Sequence, residues 1–280
     1  MHKSALAIGV FDSGMGGLTV LRALRQALPH ESFVYLGDTA RLPYGTKSPD
    51  TVQQYAVQMA QLLVDRHIKA LVVACNTATT AALPYLKILM PKLLILGVVE
   101  PGATAAIAAT KNNRVAVFAT ETTIAANAYQ RIIAASLPGV AIHARACSVL
   151  VALAEEGMCD NNIAKAALEH YLSGVVDEDT ILLGCTHFPV FKPLLKKLLP
   201  SHVRVVDSAE ATALSLMTSL EQSGLLNPEN STKGQVRYLV TDSVNRFQTV
   251  GEIFLGESLD SAAIELVDVV ASHAPIAPAR

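Results

Sequence analysis

The sequence predicts an α/β fold made of two pseudo-symmetric, doubly wound lobes with mainly parallel sheets. Two observations support this prediction. Short apolar strands alternate with helical segments along the whole chain, which is typical of parallel sheets covered by helices. The two halves of the chain also repeat one pattern, in which a strand and a polar loop precede an apolar run that ends in a cysteine. Ligands of such sheets bind at the carboxyl ends of the strands, so we expect a site in the cleft between the lobes.

Hydrophobic periodicity locates the individual elements. Leucines at helical spacing follow the first strand, and Ser48 before Pro49 predicts the N-cap and first residue of the next helix. The predicted strands are 6–11, 33–38, 70–74, 93–99, 114–119, 140–144, 180–184, 203–207 and 235–240, and the later predicted helices are 123–136, 149–173, 188–199, 209–223 and 244–255.

The domain boundaries follow from the point where this pattern restarts. Glu100-Pro101-Gly102 is the first plausible boundary, and a strand pattern begins again soon after it. We predict a first lobe of 1–99 plus 209–268, a second lobe of 100–208, and a loose tail of 269–280.

Composition excludes several classes of protein. The formal net charge of −2 and the pI near 6.4 give no electrostatic reason to expect nucleic acid. Mean hydropathy is +0.37, but the apolar runs are short and punctuated, so neither a membrane span nor a signal peptide is expected. The four cysteines show no paired zinc-ligand spacing and are expected to be reduced thiols. These features predict a cytoplasmic protein without a metal site.

Each half contains a cysteine in nearly the same setting. Cys75 follows the apolar run LVVA, and Cys185 follows ILLG. A buried strand that ends in small and polar residues delivers its last side chain to the ligand-binding edge of the sheet. Two facing thiols suit a reaction that removes a proton from one side of a carbon and returns it from the other. Cys147 and Cys159 lack this setting, so we interpret them as structural.

Polar side chains near the strand ends complete the candidate site. No Lys or Arg adjoins either thiol, so His187 and Asp12 are the candidates to tune Cys185 and Cys75. On sequence alone, Glu155 is typical of a solvated helix end. The DSGMGG loop is either a tight turn or a backbone nest for a carboxylate, with Asp12 and Ser13 pointing into the site. A socket for an α-carboxylate and an α-ammonium is predicted from Asn76, Thr77, Thr120, Thr123 and Thr186, with Pro43, Tyr44 and Gly45 as a turn or a wall of the site.

An ordered set of motifs resembles the glutamate racemase family: FDSGMGGLTVL, RLPYG, ACNTATT, VFATETT and LGCTHFP. Similar segments RACSVLVALAEEG and VVDSAEATA extend the resemblance from about residue 6 to about residue 268. One such motif is weak, but the ordered set is highly specific. The resemblance implies a cofactor-independent enzyme that supplies D-glutamate for peptidoglycan, with the first lobe completed by the C-terminal segment.

The same resemblance implies individual roles. Cys75 would take the proton from D-glutamate and Cys185 the proton from L-glutamate, with Asp12 and His187 assisting and Glu155 near the site. No cofactor is expected, glutamate is the expected small-molecule partner, and the family is often dimeric. The residues implied to hold the substrate are Asp12, Ser13, Pro43, Tyr44, Gly45, Asn76, Thr77, Thr120, Thr123 and Thr186.

Four departures from the family pattern, at Thr122, Ala126, Ser148 and Phe188, and three alternatives accompany this interpretation. The family usually has glycine where this chain has Thr122, which puts the geometry of the substrate-facing loop in question. The protein is alternatively a racemase for another amino acid such as aspartate, or an acyl transferase that uses Cys185 and His187. The acyl transferase leaves Cys75 unexplained. The third alternative is a bilobal amino-acid-binding protein without catalysis.

Overall fold

The computed structural model describes residues 3–227 and 232–269. Its strands are β1 Ile8–Asp12, β2 Phe33–Gly37, β3 Ala70–Val73, β4 Leu94–Gly97, β5 Arg114–Ala119, β6 Ala141–Ala146, β7 Thr180–Gly184, β8 Arg204–Asp207, β9 Val236–Val240 and β10 Ile264–Leu266. Its α-helices are α1 Leu18–Ala27, α2 Pro49–Asp65, α3 Asn76–Leu89, α4 Val99–Ala109, α5 Glu121–Ala125, α6 Ala128–Ser136, α7 Val149–Glu155, α8 Asn162–Leu172, α9 Lys192–Leu198, α10 Ala209–Gln222 and α11 Val244–Leu255.

Within the described residues the strands form two parallel sheets. The first has the order β10-β9-β2-β1-β3-β4, and the second has the order β6-β5-β7-β8. Every pair of neighbouring strands in both sheets is parallel. β1, β2, β3 and β7 are buried along their whole length, as expected for strands covered by helices on both faces. The predicted fold class is confirmed.

The two sheets share one internal topology. The order β2-β1-β3-β4 of the first sheet matches β6-β5-β7-β8 of the second, so β1 corresponds to β5 and β3 to β7. In each unit the second strand lies on one side of the first strand, and the third and fourth strands lie on the other side. The order of the strands therefore reverses between the first and third strands, which opens a crevice at their carboxyl ends. Cys75 follows β3, and Cys185 follows β7. The repeat seen in the sequence therefore places the two cysteines at equivalent positions.

The C-terminal part of the chain joins the first sheet. β9 pairs with β2, and β10 extends the same edge. α10 packs against α1 and α4, and α11 also packs against α1. The division of the chain into lobes at 99, 208 and 268 stays a prediction. Of the predicted tail, only residue 269 belongs to the described part of the chain.

The predicted strands are all present, with ends within about two residues of those expected. Ser48 caps α2 as predicted, because its hydroxyl accepts a hydrogen bond from the Thr51 amide (3.3 Å). Glu100, Pro101 and Gly102 are not a linker between elements: they lie in the first turns of α4. Proline is tolerated there because its missing N–H has no partner in the first turn of a helix. The sequence prediction also missed the short edge strand β10.

Three predicted helices are each divided. Asn127 adopts a left-handed conformation (φ 52°) and ends the predicted helix 123–136 after α5, so α6 begins as a separate helix. The predicted helix 149–173 breaks at Gly157 (φ 69°), and Asn161 caps α8 by accepting hydrogen bonds from two backbone amides. The predicted helix 188–199 starts as a 3₁₀ turn over Phe188–Phe191 and becomes α-helical from α9.

No helix among residues 3–227 and 232–269 is long and apolar enough to cross a bilayer.

Candidate active site

Cys75 lies at the N-terminus of α3, where β3 delivers it. Its sulfur accepts a hydrogen bond from the Ala78 amide (3.4 Å) and contacts the Ser13 hydroxyl (3.5 Å). The side chain is buried, and burial raises the pKa of the Cys75 thiol to about 12, helped by the nearby carboxylate of Asp12 and opposed by Ser13 and the Ala78 amide. Cys75 is therefore held as a protonated thiol at neutral pH.

Cys185 lies at the corresponding end of β7, and a different set of groups surrounds it. Its sulfur is 3.9 Å from Nδ1 of His187, whose Nε2 is 3.0 Å from Oε1 of Glu155. All three side chains are buried. Burial alone would lower the pKa of His187, but contacts with Cys185 and Glu155 raise it to about 10. The imidazole is thus positively charged at neutral pH, and it lies beside the Cys185 sulfur.

Glu155 belongs to this buried group and is not on a solvated helix end, as the sequence alone indicated. Only 7 % of the residue is exposed, although it is the last residue of α7. The resemblance to a known family placed it near the site, and the contact with His187 agrees with that expectation. The edge of the His187 ring also packs against Phe254 of α11, with the ring centroids 5.1 Å apart. The imidazole is therefore fixed on two sides.

Asp12 connects the two halves of the site. It is the last residue of β1 and is fully buried, and its carboxylate accepts hydrogen bonds from the Gly14 amide (3.0 Å) and the Thr186 hydroxyl (3.3 Å). Burial raises the pKa of Asp12, and the positive charge of His187 acts against that shift. Asp12 acts on Cys75 through its charge, whereas the direct contacts of that thiol are Ser13 and Ala78.

The glycines of the DSGMGG loop allow the second unit to approach closely. A Cβ on Gly16 would lie 2.3 Å from Nδ1 of His187 and 2.6 Å from Oγ1 of Thr186. A Cβ on Gly17 would lie 2.5 Å from Cβ of Asp12. Of the two readings of this loop, the geometry favours the tight turn, which here brings Asp12 and Thr186 together.

Threonine hydroxyls from both halves of the chain meet in one cluster. Oγ1 of Thr77 is 2.9 Å from Oγ1 of Thr120, which is 3.2 Å from Oγ1 of Thr123. All three residues are buried. Thr77 is the second residue of α3, whereas Thr120 and Thr123 follow β5, so the cluster spans the crevice between the two sheets. The sequence predicted these residues to share one socket, and the structure places them together.

The loop after β2 reaches the same cluster. Tyr44 and Gly45 are buried beside it, and a Cβ on Gly45 would lie 2.7 Å from Cβ of Thr120. Pro43 precedes them and is exposed. Thr122 fits this geometry, because its hydroxyl donates one bifurcated hydrogen bond to the carbonyl oxygens of Gly45 (2.9 Å) and Lys47 (3.2 Å). The departure at Thr122 therefore ties the loop to α5.

Two residues at the site carried no signal in the sequence. The Tyr129 hydroxyl accepts a hydrogen bond from Nδ2 of Asn76 (2.6 Å), and Asp38 accepts hydrogen bonds from Tyr44, Arg41 and Thr241. The contacts of Tyr129 with Asn76 and of Asp38 with Thr241 join residues far apart in the chain, which no local motif reveals.

No group of three or more His, Cys, Asp or Glu side chains in the described part of the chain is arranged to hold a metal ion.

Known proteins share both the sequence and this architecture. The sequence profile of the Asp/Glu/hydantoin racemase family matches residues 8–216. A curated glutamate racemase from Geobacter metallireducens is 47% identical over 255 residues, which is 90% of this chain and 94% of that protein. Crystal structures of glutamate racemases from Francisella tularensis, in complex with D-glutamate, and from Bacillus anthracis are 34% and 36% identical, with TM-scores of 0.86 and 0.89. Each covers 95% of this chain and 98% of the matched chain. The chain belongs to the Asp/Glu/hydantoin racemase family.

Proposed function

We propose that the protein interconverts L- and D-glutamate by a two-base mechanism in which Cys75 and Cys185 act on opposite faces of the α-carbon. The pair of buried thiols at equivalent strand ends of two matching sheets carries this proposal. The many curated glutamate racemases at 40–47% identity, and the related structure with bound D-glutamate, support glutamate as the substrate.

The reaction begins with L-glutamate between the two thiols. The Cys185 thiolate takes the α-proton and becomes a thiol, and Cys75 gives its own proton to the opposite face of the planar intermediate. The product is D-glutamate, and Cys75 is left as a thiolate. The reverse reaction starts from this second form of the enzyme. No atom other than the proton is exchanged, so the chemistry needs no redox or group-transfer partner.

The α-proton of an amino acid is much less acidic than a thiol, so the site must stabilise the carbanion-like transition state. The hydroxyls of Thr77, Thr120 and Thr123 and the backbone at the N-terminus of α3 supply donors for the substrate carboxylates. These donors are already fixed by one another and by the fold. A pre-arranged polar site that excludes water needs little reorganisation when charge develops.

The protonation states of the thiols set the pH dependence. One thiol must be charged and the other neutral at the start of each turnover, so a bell-shaped dependence of kcat/KM on pH is expected. A monotonic profile between about pH 6 and 10 would contradict the two-base mechanism.

The first experiment is incubation of the purified protein with L-glutamate in D2O without added cofactor. Circular dichroism follows the loss of optical activity, and NMR follows deuterium entering the α-carbon. Both signals changing together support racemisation. No exchange with either glutamate enantiomer contradicts the proposal, and exchange with aspartate alone would identify a different substrate in the same family.

We further propose that this reaction supplies D-glutamate for peptidoglycan in the cytoplasm and that the protein forms a homodimer. Light scattering of the purified protein measures its molar mass in solution, and a monomer at all concentrations would contradict the proposed dimer.

A further inference from the structure

Tyr129 is buried where both halves of the site come together. It is completely inaccessible and is the second residue of α6. Its ring packs over Gly184, the residue before Cys185, because a Cβ there would lie 2.6 Å from Cε2 of Tyr129. A Cβ on Gly102 of α4 would lie 3.2 Å from the Tyr129 hydroxyl and 3.0 Å from Cβ of Ser208. Tyr129 therefore lies against both chain segments that connect the two sheets.

The hydroxyl of Tyr129 contacts Asn76, the residue that follows Cys75. Nδ2 of Asn76 donates a hydrogen bond of 2.6 Å to this hydroxyl. Ser208 lies beside the same hydroxyl. One side chain of α6 thus contacts the residue before Cys185 and the residue after Cys75.

This contact fixes which end of the Asn76 amide is available. Asn76 is only 2 % exposed, and its Oδ1 is buried without a hydrogen-bond partner among the residues that the structure describes. A buried acceptor in a folded protein is normally paired, so an unpaired one at a binding site indicates a donor supplied by a ligand. The α-ammonium of an amino acid is such a donor. With Nδ2 held by Tyr129, only Oδ1 can accept it.

We infer that Tyr129 is a positioning residue that holds the Asn76 amide with Oδ1 directed to the substrate ammonium. This inference rests on the proposed racemase function. The residue does not touch the reacting carbon; it acts through Asn76. Because the ammonium is present in both the ground state and the transition state, the contact contributes equally to binding in both.

The test is Tyr129→Phe, which removes one oxygen and leaves the ring over Gly184. We expect KM for both glutamate enantiomers to rise about tenfold while kcat stays within about twofold, since a lost buried hydrogen bond weakens binding by about that factor. The matched control is Tyr238→Phe, a buried tyrosine on β9 whose ring packs against Tyr35 and Phe247, and it should leave both parameters unchanged.

A double-mutant cycle separates positioning from a general loosening of the fold. In an Asn76→Ala background, Tyr129→Phe should have no further effect on KM, because the amide through which Tyr129 acts is absent. An unchanged KM in Tyr129→Phe alone, or an undiminished effect in the Asn76→Ala background, overturns the inference. If the wild-type protein does not racemise glutamate, the proposed function fails instead, and kinetics do not bear on Tyr129.

A measurement on the wild-type protein covers the case in which Tyr129→Phe does not fold. The side-chain amide NMR signal of Asn76, assigned by its loss in Asn76→Ala, should exchange slowly with solvent because Nδ2 is bound and buried. Exchange as fast as that of an exposed asparagine such as Asn162 overturns the inference, and it does so whether or not the protein is a racemase.

Discussion

The two thiols occupy equivalent positions in matching sheets, but their surroundings differ. Cys185 adjoins a positive imidazole that is held by Glu155, whereas Cys75 contacts a hydroxyl and a backbone amide and lies within the electrostatic influence of the Asp12 carboxylate. A cation stabilises a thiolate and a nearby anion opposes it. The matching backbones therefore set where the thiols are, and the different neighbours give the two thiols different electrostatic surroundings.

This difference bears on the charges of the groups around the two thiols. The pKa of Cys75 is raised to about 12 and that of His187 to about 10, so near pH 8 Cys75 is a thiol and His187 an imidazolium. In the proposed mechanism, the form that accepts L-glutamate has a thiolate on Cys185 and a proton on Cys75. An enzyme with two identical halves would have no such preference.

Thermodynamics limits how this asymmetry can be observed. Enantiomers have equal free energy in water, so kcat/KM must be the same for L- and D-glutamate in the wild type and in every variant. The asymmetry of the site therefore affects kcat and KM separately, the exchange of the α-proton, and the pH dependence.

The largest effect is expected from removing either thiol. Cys75→Ala and Cys185→Ala should each lower racemisation by about 10³-fold or more, because one face of the carbon loses its acid or base. Each variant keeps one base, so Cys75→Ala should still exchange the α-proton of L-glutamate with D2O, and Cys185→Ala that of D-glutamate. NMR of each enantiomer after incubation in D2O measures both.

Cys159→Ala is the matched control, since this half-buried thiol lies between α7 and α8, away from the two strand ends. It should racemise at the wild-type rate. The assignment of the faces would be contradicted if Cys75→Ala or Cys185→Ala exchanged the α-protons of both enantiomers. Exchange of only the enantiomer opposite to that expected would contradict it as well.

The next effect tests the buried partner of His187. Glu155→Gln removes a negative charge that helps to keep the pKa of His187 near 10. The imidazolium should then lose its proton at lower pH, so the alkaline limb of kcat/KM should move to lower pH, with a loss of about tenfold to 100-fold near pH 8. Profiles of kcat/KM from pH 6 to 10 for both proteins measure the shift.

Glu156→Gln is the control for this change, because Glu156 is the next residue but is exposed and pairs with Arg246. Its profile should match the wild type. An alkaline limb that stays in place in Glu155→Gln would mean that Glu155 does not set the charge of the imidazole.

The strand ends and the thiols were predictable because each depends on a short stretch of sequence. A buried run followed by Cys-Asn-Thr or Cys-Thr-His specifies its own position at the sheet edge. Contacts between distant residues were not predictable in this way. Tyr129 and Asn76 are 53 residues apart, and Thr122 meets Gly45 across 77 residues, so no local pattern links them. The breaks at Asn127 and Gly157 were missed because left-handed residues interrupt otherwise continuous helical periodicity.

A smaller effect is expected in the pH dependence of stability. The pKa of His187 is 6.5 when unfolded and about 10 when folded, so its contribution to stability is present in full below about pH 6.5 and is lost as pH rises toward 10. The unfolding free energy of the wild type should therefore fall between pH 6.5 and 9. Urea denaturation of His187→Asn should show a flatter dependence over this range, and exposed His202→Asn should keep the wild-type slope. Equal slopes for all three proteins would show that His187 is not charged in the folded state.

The smallest effect concerns the contact that Thr122 adds across the crevice. Its hydroxyl donates to Gly45 and Lys47, so α5 of one half holds the loop that carries Tyr44 and Gly45 in the other. Thr122→Val keeps the shape and removes this hydrogen bond, in which two carbonyl oxygens share one proton, at a cost of about 1 kcal/mol. KM for glutamate should rise about threefold to tenfold with kcat nearly unchanged, because the loop is expected to bind substrate without entering the chemistry. Thr122→Ser keeps the hydroxyl and should restore the wild-type KM. A fall in kcat at constant KM would instead mean that movement of this loop limits the rate of turnover. The two halves would then be coupled through motion as well as through charge.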